Sequence, residues 1–324
     1  MTEKSAKGEE GSPRVSVLMP TFNVGDYVEE AVDSILNQTM SDFELIVVDD
    51  CSSDATFDVL QGLAESDERI RLFRNDRNLR IAKTLNYALS KARGSYIVRM
   101  DGDDISRSDR FAKLLDFLDR NPSCGLVGSY TTAIAASGAE LARRRQPRSD
   151  KWISRTLPLC STVSHIWMAR KSLYDELGGY RNVPGAEDYD FLLRAKYCGY
   201  EVANYPDYLY KVRLREGNTE STQGLERVLT KEFVFRMVKE GEEFDESSLA
   251  EYLNANARDK EKYQVASAIL NKAKHERNSP LQLVIDVARA ALHSRYVARY
   301  LFEVTAVRAA VKLEDLANRR VKGA

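Results

Sequence analysis

Histidine is scarce in this chain. Among 324 residues there are three, His165, His275 and His293, too few for a histidine-rich metal site. The four cysteines (Cys51, Cys124, Cys160 and Cys198) show no paired spacing, which argues for reduced thiols and against a disulfide framework or a zinc site. Neither sign of charge dominates: 48 basic residues face 49 acidic ones, a net charge of −1, which argues against bulk electrostatic binding of nucleic acid. No apolar run reaches the length needed to span a bilayer, and the first residues are too polar for a signal peptide, so the expected location is the cytoplasm. No Gly-x-Gly-x-x-Gly follows the first strand-like run and no Walker-type lysine loop occurs, so dinucleotide dehydrogenases and P-loop NTPases fit poorly. Internal repeats and low-complexity segments are missing as well.

What the chain does have is 43% hydrophobic and 30% charged residues, the balance of a globular protein long enough for one large α/β unit and an appendage. Its organising stretch is Ser95–Asp104, where Tyr96-Ile97-Val98-Arg99-Met100 runs into Asp101-Gly102-Asp103-Asp104. In an open α/β sheet, ligands sit outside the carboxyl ends of the strands, so this end gathers several carboxylates in one small volume. Like charges repel unless a cation joins them, and hard oxygen ligands suit Mg²⁺ or Mn²⁺ when phosphates complete the shell. Asp and Gly are also ordinary turn residues, so the motif alone is weak. An EF-hand loop started at Asp101 fails, because Ser106 and Ala112 stand where glycine and glutamate are required.

Along the chain, residues 1–13 read as a disordered tail. Arg14–Pro20 reads as a buried strand stopped by proline, Asp26 as the cap of a helix over Tyr27–Gln38, and Phe43–Asp50 as a second strand ending in carboxylates. Ser52, Ser53 and Asp54 supply cap chemistry, Ile70–Phe73 a third strand, and Asn78–Arg93 a loop and helix. This alternation predicts a parallel sheet with right-handed crossovers. Further on come a helix over Arg110–Asn121, a strand over Leu126–Ala136, a basic loop over Arg143–Arg148, strands over Ser164–Ala169 and Val202–Tyr210, and helices over Arg170–Leu177 and from Gly185 onwards. From about Leu225 the pattern is helical. Its interleaved arginines and apolar residues read as a layer packed on the core or on a second subunit, or as a helix lying at an anionic membrane surface.

Five ordered segments together resemble family 2 glycosyltransferases over about residues 14–220. They are Val15–Asn23, Ser34–Thr39, Phe43–Thr56, Arg99–Ser106, and Leu177–Arg181 followed by Ala186–Ala195 with its Glu187-Asp188-Tyr189-Asp190. The resemblance implies a GT-A, Rossmann-like, mostly parallel sheet flanked by helices over residues 14–224, with a helical C-terminal extension over 225–324. It also implies inverting transfer of a hexosyl or N-acetylhexosaminyl group from a nucleotide diphosphate sugar, UDP-linked in most cases, to a saccharide or lipid-linked hydroxyl acceptor in bacterial surface polysaccharide or glycolipid synthesis. Carried over by position, Pro20, Thr21, Asn23 and Asp50 would hold the base, Asp101 and Gly102 the ribose side, and Asp103 with Asp101 a Mg²⁺ or Mn²⁺ ion. Arg80 and Lys83 would assist at the phosphates, and Asp188 would be the base. Glu187, His165 and Trp167 are candidates for the acceptor and sugar side, His165 reading equally as a buried, satisfied histidine and Trp167 mainly as core, and Asp190 is a candidate for orienting the loop.

Two departures stand out. Arg80 occupies the place of a glycine in the family's Asn-x-Gly, and Tyr210–Asn218 lacks the histidine many relatives carry near the pyrophosphate. Arginine cannot ligate a metal but can pair with phosphate bidentately, so Arg213 or Arg215 is expected at the diphosphate, with strict metal dependence in doubt. The alternatives are a nucleotidyltransferase, which would want a basic glycine-rich first loop, and a non-catalytic nucleotide-sugar-binding scaffold. A peripheral place at the inner face of the membrane, or a homo-oligomer through the C-terminal helices, stays open.

Overall fold

The computed structural model describes residues 12–215, 224–275 and 280–322. The expected tail lies, up to residue 11, outside the described residues, as do residues 216–218 of the basic segment. The first half alternates strand and helix: β1 (Val15–Thr21), α1 (Val28–Leu36), β2 (Phe43–Asp49), α2 (Thr56–Ser66), β3 (Ile70–Arg74), α3 (Ile81–Ser90) and β4 (Tyr96–Arg99). All seven positions of β1 and of β2 are buried, as expected for parallel strands covered on both faces. Then come β5 (Ile105–Ser106), α4 (Arg110–Arg120), β6 (Cys124–Ala135), β7 (Glu140–Arg144), α5 (Asp150–Thr156), β8 (Met168–Arg170), α6 (Lys171–Leu177), α7 (Glu187–Tyr197) and β9 (Glu201–Leu214). The helical remainder is α8 (Gly224–Glu240), α9 (Glu246–Ala255), α10 (Lys260–His275), α11 (Pro280–His293) and α12 (Arg295–Lys322).

The strands form one sheet in the order β3-β2-β1-β4-β8-β6-β9-β5, with β7 paired to β6. Strands β3, β2, β1 and β4 are mutually parallel. Beyond β4 the sheet is mixed: β8 runs antiparallel to both β4 and β6, β6 and β9 are parallel, and β5 is antiparallel to β9. "Mostly parallel" therefore describes the first half alone. The strand order reverses between β1 and β4, and the crevice this opens lies at their carboxyl ends.

Several sequence-based boundaries shift for identifiable reasons. Pro20 does not stop β1, which runs on to Thr21 beside β2. The β4 ladder ends at Leu18, so the missing proline N–H falls where no strand competes for it. Asp26 does not cap α1, whose cap position is Tyr27 with no side-chain bond. The basic run is partly the exposed edge strand β7, and its Arg145 and Arg148 pair with Asp315 of α12 at 2.9 and 3.2 Å rather than facing solvent. The C-terminal helices pack on the sheet layer. Phe233, Val234 and Met237 of α8 join the main core, and Glu314 of α12 accepts the Arg148 and Ser149 N–H groups at 2.7 and 2.8 Å.

At the amino ends of the strands, buried Glu44 accepts from Ser16 Oγ (2.7 Å), Arg93 N–H (2.8 Å) and Arg71 Nη1 (2.6 Å), tying β1, β2, β3 and the α3–β4 turn together. Burial pushes the Glu44 carboxyl up, but these donors outweigh it and hold it below the ordinary value. A depressed folded pKa gives stability that is present above the unfolded pKa and lost as pH falls through the folded one. Glu44→Ala is expected to cost about 2–4 kcal/mol in urea unfolding at pH 7, with the difference from wild type shrinking in acid.

Candidate active site

The loop after β1 and the turn after β2 are built as one unit. Asp49 is buried and accepts Ser52 N–H at 3.1 Å, while Asp54 accepts Gly25 N–H and Thr56 N–H, both at 3.0 Å. Asn23, held at a positive φ of 50°, accepts Ser53 N–H at 2.9 Å. Pro20 and Thr21 lie buried at the root of this loop, whereas Asn23 and Phe22 face outwards. Asp50 is also buried, and its oxygens receive Asn75 Nδ2 (2.7 Å), Leu79 N–H (2.8 Å) and Arg80 N–H (2.9 Å). Of about four acceptor positions on a carboxylate, one is left. This grip holds Arg80 at φ 67° and ψ 165°, a region suited to glycine, with its side chain exposed at the start of α3 near exposed Lys83.

The acidic segment follows β4. Gly102 is required by proximity: a Cβ there would meet Thr21 Cγ2 at 2.8 Å. Asp101 receives His165 Nε2 at 2.8 Å and Arg99 Nε at 3.3 Å, and its N–H donates to the Tyr210 hydroxyl at 3.2 Å. Burial would raise its pKa, but Arg99 and His165 hold it well below the aspartate range. Asp103 pairs with Arg215 Nε at 2.7 Å; burial and the charge of Asp101 push its carboxyl up against that pairing. Asp104, buried and accepting Arg213 N–H at 2.7 Å, is raised well above the ordinary value by burial and by both neighbours. Beneath them Arg110 is fully buried. Its Nη2 donates to the Arg99 carbonyl at 3.1 Å, its Nε and Nη1 lack partners, and burial brings its pKa down to about 10.

Across the cleft, α7 begins at Glu187 with no side-chain cap, so neither Glu187 nor Asp188 is consumed as a cap. Arg99 links the two walls. Its Nη1 reaches Glu187 at 3.1 Å while its Nε holds Asp101, giving a chain Glu187–Arg99–Asp101–His165 that runs from the buried Glu187 and Arg99 to the half-buried Asp101 and His165. Burial raises the Glu187 carboxyl and Arg99 offsets it. Among the described residues, Asp188 accepts a hydrogen bond from the Tyr189 N–H alone, at 2.7 Å. Burial acts to raise its pKa, but His165, Lys231, Arg99 and Arg227 outweigh that and lower it. Asp190, fully buried, takes Arg194 Nε at 2.8 Å, and Arg194 donates to the Leu177 and Gly179 carbonyls, clamping the Gly178-Gly179 turn to α7.

Two of the candidate residues lie inside the structure. Trp167 is fully buried, stacked on Phe191 at 5.6 Å and bonded to the Tyr174 hydroxyl at 3.0 Å, so it has no face to offer a sugar. Arg213 is spent on structure: it donates to the Asp103 carbonyl at 2.8 Å and the Ala136 carbonyl at 2.9 Å, and pairs with Glu30. Arg215 instead lines a cleft of about 740 Å³ with Asn23, Asp26, Tyr27, Ala136 and Leu214. Neither this cleft nor a second cavity of about 430 Å³, around Phe233, Arg236 and Tyr252, counts Asp50, Asp101, Asp103 or Asp188 among its lining residues. Arg99, Arg110, Tyr27 and the α8 cations Arg227 and Lys231 were not singled out by the sequence pattern. The one available signal was an arginine, Arg99, inside an otherwise apolar strand. Among the described residues no three His, Cys, Asp or Glu side chains converge as a metal-ligand group.

This layout is that of the GT-A glycosyltransferases. The mannosyltransferase PcManGT from Pyrobaculum calidifontis, in complex with GDP-Man and Mn²⁺, superposes with a TM-score of 0.57 at 20% identity, over 95% of this chain and 88% of that one. S. aureus TarS 1-349 in complex with UDP-GlcNAc gives 0.59 at 18% identity, over 95% and 92%. The chain belongs to glycosyl transferase family 2, whose model matches residues 16–178, and it is a glycosyltransferase. An uncharacterized glycosyltransferase of Haemophilus influenzae is 31% identical over 229 residues, 67% of this chain and 71% of its own length. The putative teichuronic acid biosynthesis glycosyltransferase TuaG of Bacillus subtilis is 36% identical over 155 residues, 47% and 61% respectively. Among the described residues, no helix is long and apolar enough to cross a membrane.

Proposed function

We propose that the protein is an inverting glycosyltransferase that moves a sugar from a nucleoside diphosphate donor, UDP-linked, to a hydroxyl of a saccharide or lipid-linked acceptor in surface polysaccharide or glycolipid synthesis. The observation that carries this reading is the Arg99 bridge, 3.1 Å to Glu187 and 3.3 Å to Asp101, which ties the start of α7, where Asp188 follows Glu187, to the acidic strand end. The complexes of PcManGT and TarS support a nucleotide-sugar donor, and TuaG supports a role in polysaccharide synthesis.

In this reading the Pro20–Asn23 loop and the last acceptor position of Asp50 receive the base, and exposed Phe22 lies on the same loop. Asp101 and the Gly102 backbone face the ribose. The acceptor hydroxyl attacks the anomeric carbon while Asp188, ionised because the cations around it outweigh its burial, takes the hydroxyl proton. The bond to the diphosphate breaks on the opposite face, and the negative charge that develops there meets Arg80, Lys83 and Arg215. The donor set suits a hard cation completed by phosphate oxygens rather than one caged by protein: Asp103, with Asp101 beside it, would hold Mg²⁺ or Mn²⁺. When bound, the ion adds positive charge at the departing diphosphate. His165 acts here as the partner of Asp101, fixing that carboxylate.

The reading is tested by titrating the protein with UDP-, GDP- and dTDP-sugars, with and without Mn²⁺, and following the unfolding midpoint and nucleotide release. A UDP-sugar that raises the midpoint and releases UDP is expected. No response to any nucleotide sugar would overturn the reading. Arg80 gives a sharper check. Arg80→Gly is expected to stabilise the fold by about 1–2 kcal/mol by relieving the strained backbone, and to weaken UDP binding roughly tenfold. Arg80→Ala should weaken binding alike with no stability gain. Calorimetry and chemical unfolding on the same samples separate the two effects.

A further inference from the structure

Among the described residues, two cations of α8 near Asp188 have no ion-pair partner. Arg227 and Lys231 are four residues apart and so share one face of the helix. That face meets α7: Lys231 Nζ lies 5.7 Å from the ring centre of Tyr189, the residue after Asp188. The Arg227 Nε is buried with no hydrogen-bond partner, and both side chains are half-buried. The other acids of this layer are already claimed. Glu232 and Glu303 both pair with Arg299, the latter at 2.8 Å. Glu187 is held by Arg99. The one oxygen of Asp188 with a partner is turned to the Tyr189 amide. Among the described residues Arg227 and Lys231 are thus left with no ion pair within 4 Å, and the buried Arg227 Nε with no acceptor, an arrangement that is costly unless something anionic completes it.

We propose that Arg227 and Lys231 form an oxyanion subsite on the acceptor side of Asp188, taking a phosphate or carboxylate borne by the acceptor saccharide. A guanidinium offers a bidentate fork and an ammonium a point charge, the pair suited to such a group. These cations are separate from Arg80 and Arg215, which lie at the strand ends where the diphosphate would sit. A base that serves inversion stands across the sugar from the leaving group, so cations beside Asp188 address the incoming molecule. Anchoring its anionic group fixes which hydroxyl reaches Asp188. The inference rests on the glycosyl-transfer reading and deepens it.

The test titrates the full-length protein, saturated with UDP to fill the donor site, with inorganic phosphate and separately with glucuronate. Wild type is expected to bind at least one. Lys231→Met and Arg227→Met should each weaken that binding about ten- to hundredfold, as loss of a charge-assisted contact does, with UDP affinity unchanged and the unfolding midpoint unchanged or raised. Lys231→Arg should restore it. Phosphate binding alone identifies a phosphate-bearing acceptor, and glucuronate binding alone a uronate-bearing one; both uphold the subsite. No binding by wild type, or equal affinity in the double variant, overturns it. Lys231→Gln and Arg227→Gln give the same comparison if the methionine variants fail to fold. Loss of UDP binding in wild type would count against the glycosyl-transfer reading itself, whereas UDP binding without anion binding counts against the subsite alone.

Discussion

Asp188→Asn is expected to lower the turnover of sugar transfer by roughly 10³–10⁴-fold, the upper range for loss of a general base. UDP affinity should stay within about twofold, since Asp188 takes no part in the donor-side bonds. Asparagine keeps the shape and can still accept the Tyr189 N–H that Asp188 accepts at 2.7 Å, so the helix start should persist. What it loses is the ability to hold a proton from the incoming hydroxyl. The sign of the pKa shift adds a second readout. Burial alone would raise Asp188, but His165, Lys231, Arg99 and Arg227 bring it below the aspartate range. The base form therefore persists as pH falls, and the acidic limb of kcat/KM that Asp188 sets should lie below the ordinary carboxylate region. Retained turnover in Asp188→Asn would remove this residue from the chemistry.

Asp103→Asn should be the next most damaging change, lowering turnover by roughly 10²–10³-fold through weaker stabilisation of the leaving diphosphate. It also strips Arg215 of the carboxylate that binds it at 2.7 Å. Arg215 keeps its contact with the Tyr27 ring, 5.6 Å away, and so stays at the cleft, and UDP affinity should fall less than turnover. Apparent Mn²⁺ affinity, measured with UDP present, should fall with turnover. An Asp103→Asn protein with wild-type turnover and Mn²⁺ affinity would show that Asp103 is only the counterion of Arg215.

The parallel half of the fold was legible because β1 and β2 are mostly apolar runs, interrupted by Ser16 and Glu44, that end in turn chemistry. Their carboxylates are contiguous with the strands that carry them, so Asp50, Asp101 and Asp103 could be placed at one sheet end from sequence. Strand β7 was read as part of a basic loop because all five of its residues are exposed, leaving no buried face to set a period. Strand β9 was read four residues short because Lys211 and Arg213 interrupt its apolar pattern. Arg213 is nevertheless buried, its charge met by Glu30 from 183 residues away. Partnerships of that kind are what sequence pattern cannot supply. The same limit hid Arg227 and Lys231, whose neighbour Asp188 is brought to them only by the packing of α7 on α8. Trp167 was legible as a core residue from its apolar run, and its indole N–H is satisfied there by the Tyr174 hydroxyl.

The way β9 grips the acidic segment bears on how hybrid enzymes could be assembled from relatives. Arg213 N–H binds Asp104, Arg213 Nε binds the Asp103 carbonyl, and Tyr210 receives the Asp101 amide. The match to the family model ends at residue 178, well before these donors. A crossover placed there would graft one parent's carboxylates onto another parent's scaffold. A splice beyond Leu214 would transplant the motif together with the strand that sets its posture.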